Sequence, residues 1–333
     1  MTQPLLQLEQ VSKSFYTRPT APYELFRWRR PARLSAVEQL DLTVYRGETL
    51  CVVGESGCGK STMARLVMGL LHPDEGQINY AGQRIDHLKR HDRLAYRRRM
   101  QMIFQDPYTA LNPRLTVLHC LLEPLLYHQP QLTEQEALEQ VFQQLLAVGI
   151  DPALGQRFPH QLSSGQRQRL NIARALSVKP EFIVADEPLS ALDVSIQAQI
   201  LNLLQDTANQ QNLTFLFFTH NLAVVEHIAD RVAVMYEGRL CELTSSRNLF
   251  KHPRHPYTQA LLEAMPQLTT SPQQGAKLMG DVPSRLQRPL GCSLQDRCPY
   301  ANERCRHQVP TLFSHTDGGQ TACHALQEGR IKP

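Results

Sequence analysis

With 333 residues, 42% of them hydrophobic and 20% charged, the chain has ordinary globular composition and a length that suits about two domains. No apolar run approaches the roughly 18 residues that span a bilayer, and MTQPLLQLEQ has neither the basic start nor the apolar core of a signal peptide, so a cytoplasmic chain is expected. A net charge of +4 is too small to argue for a polyanionic partner.

Residues 5 to 15, LLQLEQVSKSF, alternate as a strand does, and LDLTV (Leu40 to Val44) predicts a second. Between them TRPTAPYELFRWRRPARLS, with Tyr23, Phe26 and Trp28 among its Pro and Arg residues, reads as an inserted loop. A basic aromatic loop suits a membrane surface or nucleic acid, but a solvated loop with one docked aromatic is the simpler reading. The apolar run Leu50, Cys51, Val52, Val53 then leads into GESGCGKS, Gly54 to Ser61, which fills every position of the phosphate-loop pattern G-x-x-x-x-G-K-[ST]; a helix is predicted beyond it as far as Leu71. Gly54, Gly57 and Gly59 let backbone N–H groups turn inward onto phosphate oxygens, and the helix beginning near Lys60 adds partial positive charge. Lys60 would reach the β- and γ-phosphates and the Ser61 hydroxyl would ligate Mg²⁺. The bland alternative is a glycine-rich turn that matches by chance.

Gly76 to Tyr80 and Met100 to Phe104 read as short strands, the second ending in Gln105-Asp106-Pro107. Residues 115 to 180 are mostly helical in pattern: Thr133 to Val148 opens on a capping residue and is closed by Gly149. Gln161 to Arg167 precedes a helix predicted over Gln168 to Leu176, with Ser163 placed to open it. Glu181 to Glu187 reads as a buried strand ending in two carboxylates, Asp186 and Glu187. Such a pair is costly in a core unless something cationic sits against it, and Mg²⁺ on a nucleotide meets that need. Ser190-Ala-Leu-Asp193, an amphipathic helix (Ser195 to Asn209), the strand Leu213 to Phe218 with His220 beyond its carboxyl end, and the strand Arg231 to Tyr236 with a Glu237-Gly238 turn complete an alternating α/β pattern. In open parallel sheets ligands sit outside the carboxyl ends of the strands, where Gly54 onward, Gln105, Asp186, Glu187 and His220 are expected to converge. Taken singly, Gln105 is a polar strand end, His220 a core-edge histidine and Glu187 a surface carboxylate; only as a set do they suggest a site.

Of eight cysteines, Cys292, Cys298, Cys305 and Cys323 crowd the C-terminal end with spacing Cys-x5-Cys-x6-Cys-x17-Cys. In a reducing compartment that density favours metal over disulfides, although the tight pairs of zinc ribbons and ferredoxins are missing. Cys51, Cys58, Cys120 and Cys241 read as core or loop residues.

In this order and spacing, six strings resemble an ABC-transporter ATPase: GESGCGKS as Walker A, Gln105 as the Q-loop, LSSGQ (Leu162 to Gln166) as the signature, FIVADE (Phe182 to Glu187) as Walker B, SALD as the D-loop, and His220 as the switch histidine. HPRHPYTQALLEAMP (His252 to Pro266), GCSLQDRCPYANERC, LNPR and EPLSALDVSIQAQILNLL are similar to the ATP-binding subunits of dipeptide and oligopeptide importers, the dipeptide-type second ATPase above all. The resemblance implies an α/β P-loop fold over residues 1–250, a mixed sheet with an inserted helical subdomain at about 106–178, and a small irregular peptide-transporter-type extension over 251–333. It implies that Gly54, Glu55, Ser56, Gly57, Cys58, Gly59, Lys60, Ser61 and Thr62 surround the phosphates of ATP, and that Phe15 stacks on adenine with Tyr16 as the fallback. Ser61 and Gln105 would ligate Mg²⁺, with Asp186 reaching it through water. Glu187 would polarise the attacking water and His220 hold it in register; Asp193 would order a dimer interface, and Ser163, Gly165 and Gln166 would complete the partner's site.

The same resemblance implies a paralogous ATPase partner, two permease subunits, a solute-binding protein outside, no nucleic acid, and residence at the cytoplasmic face of the inner membrane. Related tails hold a [4Fe–4S] cluster, so the four C-terminal cysteines are expected to bind one, with zinc second and no metal third. The usual LSGGQ is LSSGQ here, and a Cβ at Ser164 could loosen or reshape the signature's contact with the γ-phosphate. Other cargo such as nickel or heme, a soluble ABC ATPase working on nucleic acid or the ribosome, and a regulatory subunit with a dead site are the competing expectations.

Overall fold

The computed structural model describes residues 3–16, 33–89, 91–190, 192–265, 278 and 289–331. The stretch with Tyr23, Phe26 and Trp28 lies outside these residues. The chain divides into two compact units: a helix-rich unit with residues 1–3, 45–49 and 87–219, and a phosphate-loop unit with residues 4–44, 50–86 and 220–333.

In the helix-rich unit the strands Met100–Ile103, Phe182–Asp186 and Thr214–Thr219 run parallel, with Ile103 opposite Ala185 and Asp186 opposite Phe218. Both faces of the second and third strands are buried, which is why they read as continuous apolar runs without alternation. The helices around them start where short polar side chains cap them. Thr133 and Glu136 form a reciprocal capping box at Glu134–Ala147, and Gly149, at φ +69°, ends that helix as its sequence predicts. Thr116 caps Val117–His128 and Asp193 caps Val194–Gln211. Boundaries shift from expectation: the helix expected over Ser195 to Asn209 runs Val194–Gln211, and a larger shift falls at the signature. The helix predicted from Gln168 begins at Ser164, because Ser163 and Gln166 close a capping box that carries the signature residues into its first turn.

In the phosphate-loop unit Thr49–Val53 pairs in parallel with Arg231–Tyr236, Val53 opposite Val234. A two-residue turn, Glu237 at φ +44° and Gly238 at φ +83°, then folds the chain into the antiparallel strand Arg239–Ser245, as hairpin geometry requires. The C-terminal segment adds two short strands: Gln320–Thr321 pairs with Glu242 and Leu243, and Phe313–Ser314 pairs with Gln320–Thr321. A separate antiparallel sheet holds Pro4–Tyr16 between Arg33–Tyr45 and Glu75–Tyr80. Its second strand starts at Arg33, so the last three residues read as inserted loop (Arg33, Leu34, Ser35) are strand; the Pro and Arg content before them hid its alternating burial. The phosphate-loop helix is Lys60–Val67 and stops short of Leu71, because Gly69 at φ +63° takes the left-handed terminating position while Leu70 N–H turns back to the Arg65 carbonyl. Among the described residues no helix is long and apolar enough to cross a membrane.

Candidate active site

The phosphate loop follows a fully buried strand end, and its shape depends on missing side chains. A Cβ on Gly54 would lie 2.1 Å from the Met235 carbonyl oxygen, and one on Gly59, at φ +114°, 2.3 Å from the Ala36 carbonyl oxygen. Neither position admits another residue without backbone movement. Ser56 and Gly57 are exposed at the tip, while Cys58, Gly59 and Lys60 are buried and Ser61 and Thr62 are half-buried. Lys60 is 5% exposed, and its ammonium donates to the carbonyls of Gly54 (2.7 Å) and Glu55 (3.1 Å), with Cys58 Sγ at 3.9 Å. All three partners are neutral. A buried ammonium held only by neutral acceptors, beside a helix N-terminus, is a receptor for an anion. Phe15, 39% exposed, and Tyr16, 67% exposed, end a strand of the same unit with apolar rings facing water. His220 is exposed.

Gln105, Asp186 and Glu187 belong to the helix-rich unit, Asp186 as the last residue of its strand and the other two just past the carboxyl ends of theirs. Asp186 is 4% exposed. Glu187 takes φ +45°, a conformation that costs a non-glycine residue about 1–3 kcal/mol. Its N–H donates to the Phe218 carbonyl (2.9 Å), so the neighbouring strand holds it there. The turned-out carboxylate accepts from Gln105 Nε2 at 3.1 Å, bringing together two of the residues that the motifs singled out.

At the signature, Ser163 Oγ accepts from Gln166 N–H (3.2 Å) and Gln166 Oε1 from Ser163 N–H (3.0 Å), leaving Ser163 and Ser164 exposed. Ser164 occupies an ordinary helical position, so the departure from glycine there carries no backbone strain. A Cβ on Gly165 would meet only Leu192 Cδ2 at 3.7 Å and Ile196 Cγ2 at 4.0 Å, ordinary contacts. Nothing among the described residues demands that glycine. Asp193 Oδ1 accepts from Ile196 N–H (3.0 Å) and Ser195 Oγ (2.8 Å), and these bonds hold its carboxyl below the usual range.

The family described as "ABC transporter" matches residues 37–190, and "Oligopeptide/dipeptide transporter, C-terminal region" matches residues 241–305. A probable peptide ABC transporter ATP-binding protein of Sinorhizobium fredii is 47% identical over 97% of this chain and 90% of its own length. The chain belongs to the peptide ABC-transporter ATP-binding family. A di/tripeptide transport ATP-binding protein of Pseudomonas aeruginosa is 45% identical over 93% of this chain and 96% of its own. Among solved structures, a dimeric post-hydrolysis ATP-binding cassette bound to ADP and Pi superposes with TM-score 0.65 at 26% identity, over 73% of this chain and 99% of that one.

The part of this ABC ATPase that matches the peptide-transporter region also carries three of the clustered cysteines; Cys323 lies beyond it. Cys292, Cys298, Cys305 and Cys323 line one pocket, with His255 and His324 among its other walls. All four are free thiols. Burial, reinforced by the charges of the other cysteines, pushes Cys292 up to about 12 and Cys298 up to about 11. The donor chemistry suits a soft metal centre, yet among the described residues no group of three or more His, Cys, Asp or Glu has a metal-binding arrangement. Cys51, Cys58, Cys120 and Cys241 are buried, as core residues are.

Two residues that reach this loop lie in the strings similar to peptide importers, but nothing in the sequence ties them to the phosphate loop. Glu55 N–H donates to the Tyr257 hydroxyl oxygen at 2.9 Å, and the Glu55 carboxylate accepts from Arg297 Nη1 at 3.2 Å on both oxygens. They stand 202 and 242 residues further along the chain.

Proposed function

We propose that the chain is the ATP-hydrolysing subunit of an importer for dipeptides or oligopeptides, working at the cytoplasmic face of the inner membrane. It would do so with a paralogous ATPase, two permeases and an external solute-binding protein. The observation that carries the ATP site is Lys60, a buried ammonium whose described partners are all neutral. The peptide assignment draws on the printed descriptions of relatives in Sinorhizobium fredii and Pseudomonas aeruginosa. In this reading residues 1–250 form the nucleotide-binding domain, with its helical subdomain at about 106–178, and residues 251–333 form the peptide-transporter extension.

Phosphoryl transfer asks for positioning and charge neutralisation more than covalent help from the protein. Lys60 and the amides from Gly54 to Thr62 hold the β- and γ-phosphates, and Phe15 stacks on adenine. Ser61 and Gln105 would hold Mg²⁺, with Asp186 reaching it through water, and the ion would supply positive charge against the phosphate oxygens. Glu187, already turned out of its strand and bonded to Gln105, accepts the proton of the attacking water. The water oxygen bonds to the γ-phosphorus, the bond from that phosphorus to the bridging oxygen breaks, and ADP departs with the electron pair. His220 holds water and γ-phosphate in register. Ser163, Gly165 and Gln166 complete the partner's site and Asp193 orders the interface; the room left at Gly165, unused inside the chain, supports that role.

The four-cysteine pocket would take a [4Fe–4S] cluster, with zinc as second choice, a reading supported by the four cysteines that line it. When bound, the iron would neutralise thiolates that otherwise raise one another's proton affinity.

The test is co-expression with the permeases and second ATPase of the same gene neighbourhood, followed by ATPase assays in proteoliposomes. Co-purification and stimulation by a dipeptide-loaded binding protein are expected. Stimulation by a nickel- or heme-loaded binding protein alone would overturn the cargo, and absence of the permeases from the purified assembly would overturn the transporter role.

A further inference from the structure

Glu55 is held at three points. Its carbonyl accepts a hydrogen bond from the Lys60 ammonium (3.1 Å), its N–H donates to the Tyr257 hydroxyl (2.9 Å), and its carboxylate faces Arg297 (3.2 Å). Arg297 is packed in place. Its side chain is 12% exposed, its Nη1 donates to the Tyr236 hydroxyl at 3.4 Å, and its guanidinium stands 5.8 Å from the Tyr236 ring centre. The rings of Tyr236 and Tyr257 lie 4.6 Å apart, and both residues are essentially buried. A rigid aromatic shelf therefore presents one cation to the second residue of the phosphate loop.

The charge logic makes this contact more than a brace. Glu55 places a carboxylate in a loop whose other features all gather anions: glycine-shaped backbone, helix N-terminus and buried ammonium. Left alone, that carboxylate would repel a polyphosphate and compete with it for Lys60. Arg297, 28% exposure on the Glu55 side of the pair notwithstanding, neutralises it at contact distance. Tyr257 meanwhile fixes the peptide plane whose carbonyl orients Lys60.

We propose that Arg297 and Tyr257 are positioning residues for the nucleotide site, Arg297 by cancelling the Glu55 charge and Tyr257 by anchoring the Glu55 backbone, so that the extension takes part in ATP binding. The inference rests on the ATPase reading. It also gives the C-terminal segment a task within this chain that does not depend on what the cysteine pocket holds.

The experiment is titration calorimetry of Mg-ATP into the full chain for wild type, Arg297→Gln, Arg297→Lys, Glu55→Gln and the Glu55→Gln/Arg297→Gln double variant. Arg297→Gln should weaken binding about fivefold, the factor that corresponds to a partly screened ion pair. Arg297→Lys should stay within about twofold of wild type, since the charge is retained. The double variant should recover the wild-type affinity, an outcome that a purely structural role for Arg297 would not produce. Glu55→Gln alone should tighten binding, which tests the charge argument even where Arg297→Gln does not fold. Equal affinity in wild type and Arg297→Gln, no recovery in the double variant, or no change in Glu55→Gln would overturn the inference. A wild-type chain that does not bind Mg-ATP would instead overturn the ATPase reading on which it rests.

Discussion

Gly165→Ala separates what the fold needs from what the assembled transporter needs. The added methyl would sit 3.7 Å from Leu192 Cδ2 and 4.0 Å from Ile196 Cγ2, so it enters free space and makes two ordinary contacts. Gly165 is the second residue of the helix Ser164–Leu176, where replacing glycine by alanine removes a backbone entropy penalty of at most about 1 kcal/mol. The chain should melt no lower than wild type, and up to about 3 °C higher, in thermal unfolding. Turnover of the reconstituted transporter should nevertheless fall at least tenfold, on the scale of about 10² for a small misplacement at a reacting centre, if the proposed composite site places the partner's nucleotide against Gly165. Gly59→Ala provides the contrast. Its Cβ would meet a backbone oxygen at 2.3 Å at φ +114°, and the variant should lose about 2–4 kcal/mol of stability through strain and overpacking. Undiminished transporter turnover in Gly165→Ala would refute the composite-site argument, and a large drop in its melting temperature would refute the packing on which it is based.

Glu187→Gln should retain Mg-ATP affinity while turnover of the assembled transporter falls by about 10² or more, the effect of losing a positioned base; unchanged turnover removes Glu187 from that role. Anaerobically purified protein should contain iron and acid-labile sulfide that Cys298→Ser diminishes, and zinc without sulfide would replace the cluster in this account. Arg254 grips Asp317 through two hydrogen bonds, at 3.1 and 2.9 Å, and holds its carboxyl below the ordinary value. A depressed carboxyl contributes stability above its unfolded value, about 3.9, and loses it as pH falls through the folded one. Melting curves of Asp317→Asn should therefore lie below wild type at neutral pH and converge with it as pH drops below about 4; a gap that persists in acid would contradict the ion pair.

How much of this was legible in the sequence depended on the range of the interaction. The capping residue Thr133, the Gly149 terminator and the Glu237-Gly238 turn are set by neighbours a few residues apart, and they appear where the sequence puts them. Boundaries slipped where a local device was misjudged. Gly69 stopped the phosphate-loop helix before Leu71, and the Ser163–Gln166 box started the signature helix before Gln168. The Gln105–Glu187 bond spans 82 residues, and only motif order hinted that the two belonged together. Tyr257 and Arg297 could not be found this way. Both lie in strings that resemble peptide importers, yet their contact with Glu55 depends on packing, which no spacing in those strings announces. The four cysteines fall between these cases: spacing marked them as a group, and the fold places them around one pocket without the geometry of a bound metal.

The pairing of Gln320–Thr321 with Glu242 and Leu243 has a practical corollary for anyone shortening this protein. A version cut before residue 320 would bare the hydrogen-bonding rim of Arg239–Ser245, a strand whose interior side chains are buried. An uncovered rim of that kind recruits another molecule's backbone, so the trimmed product should clump during expression even with its catalytic motifs intact.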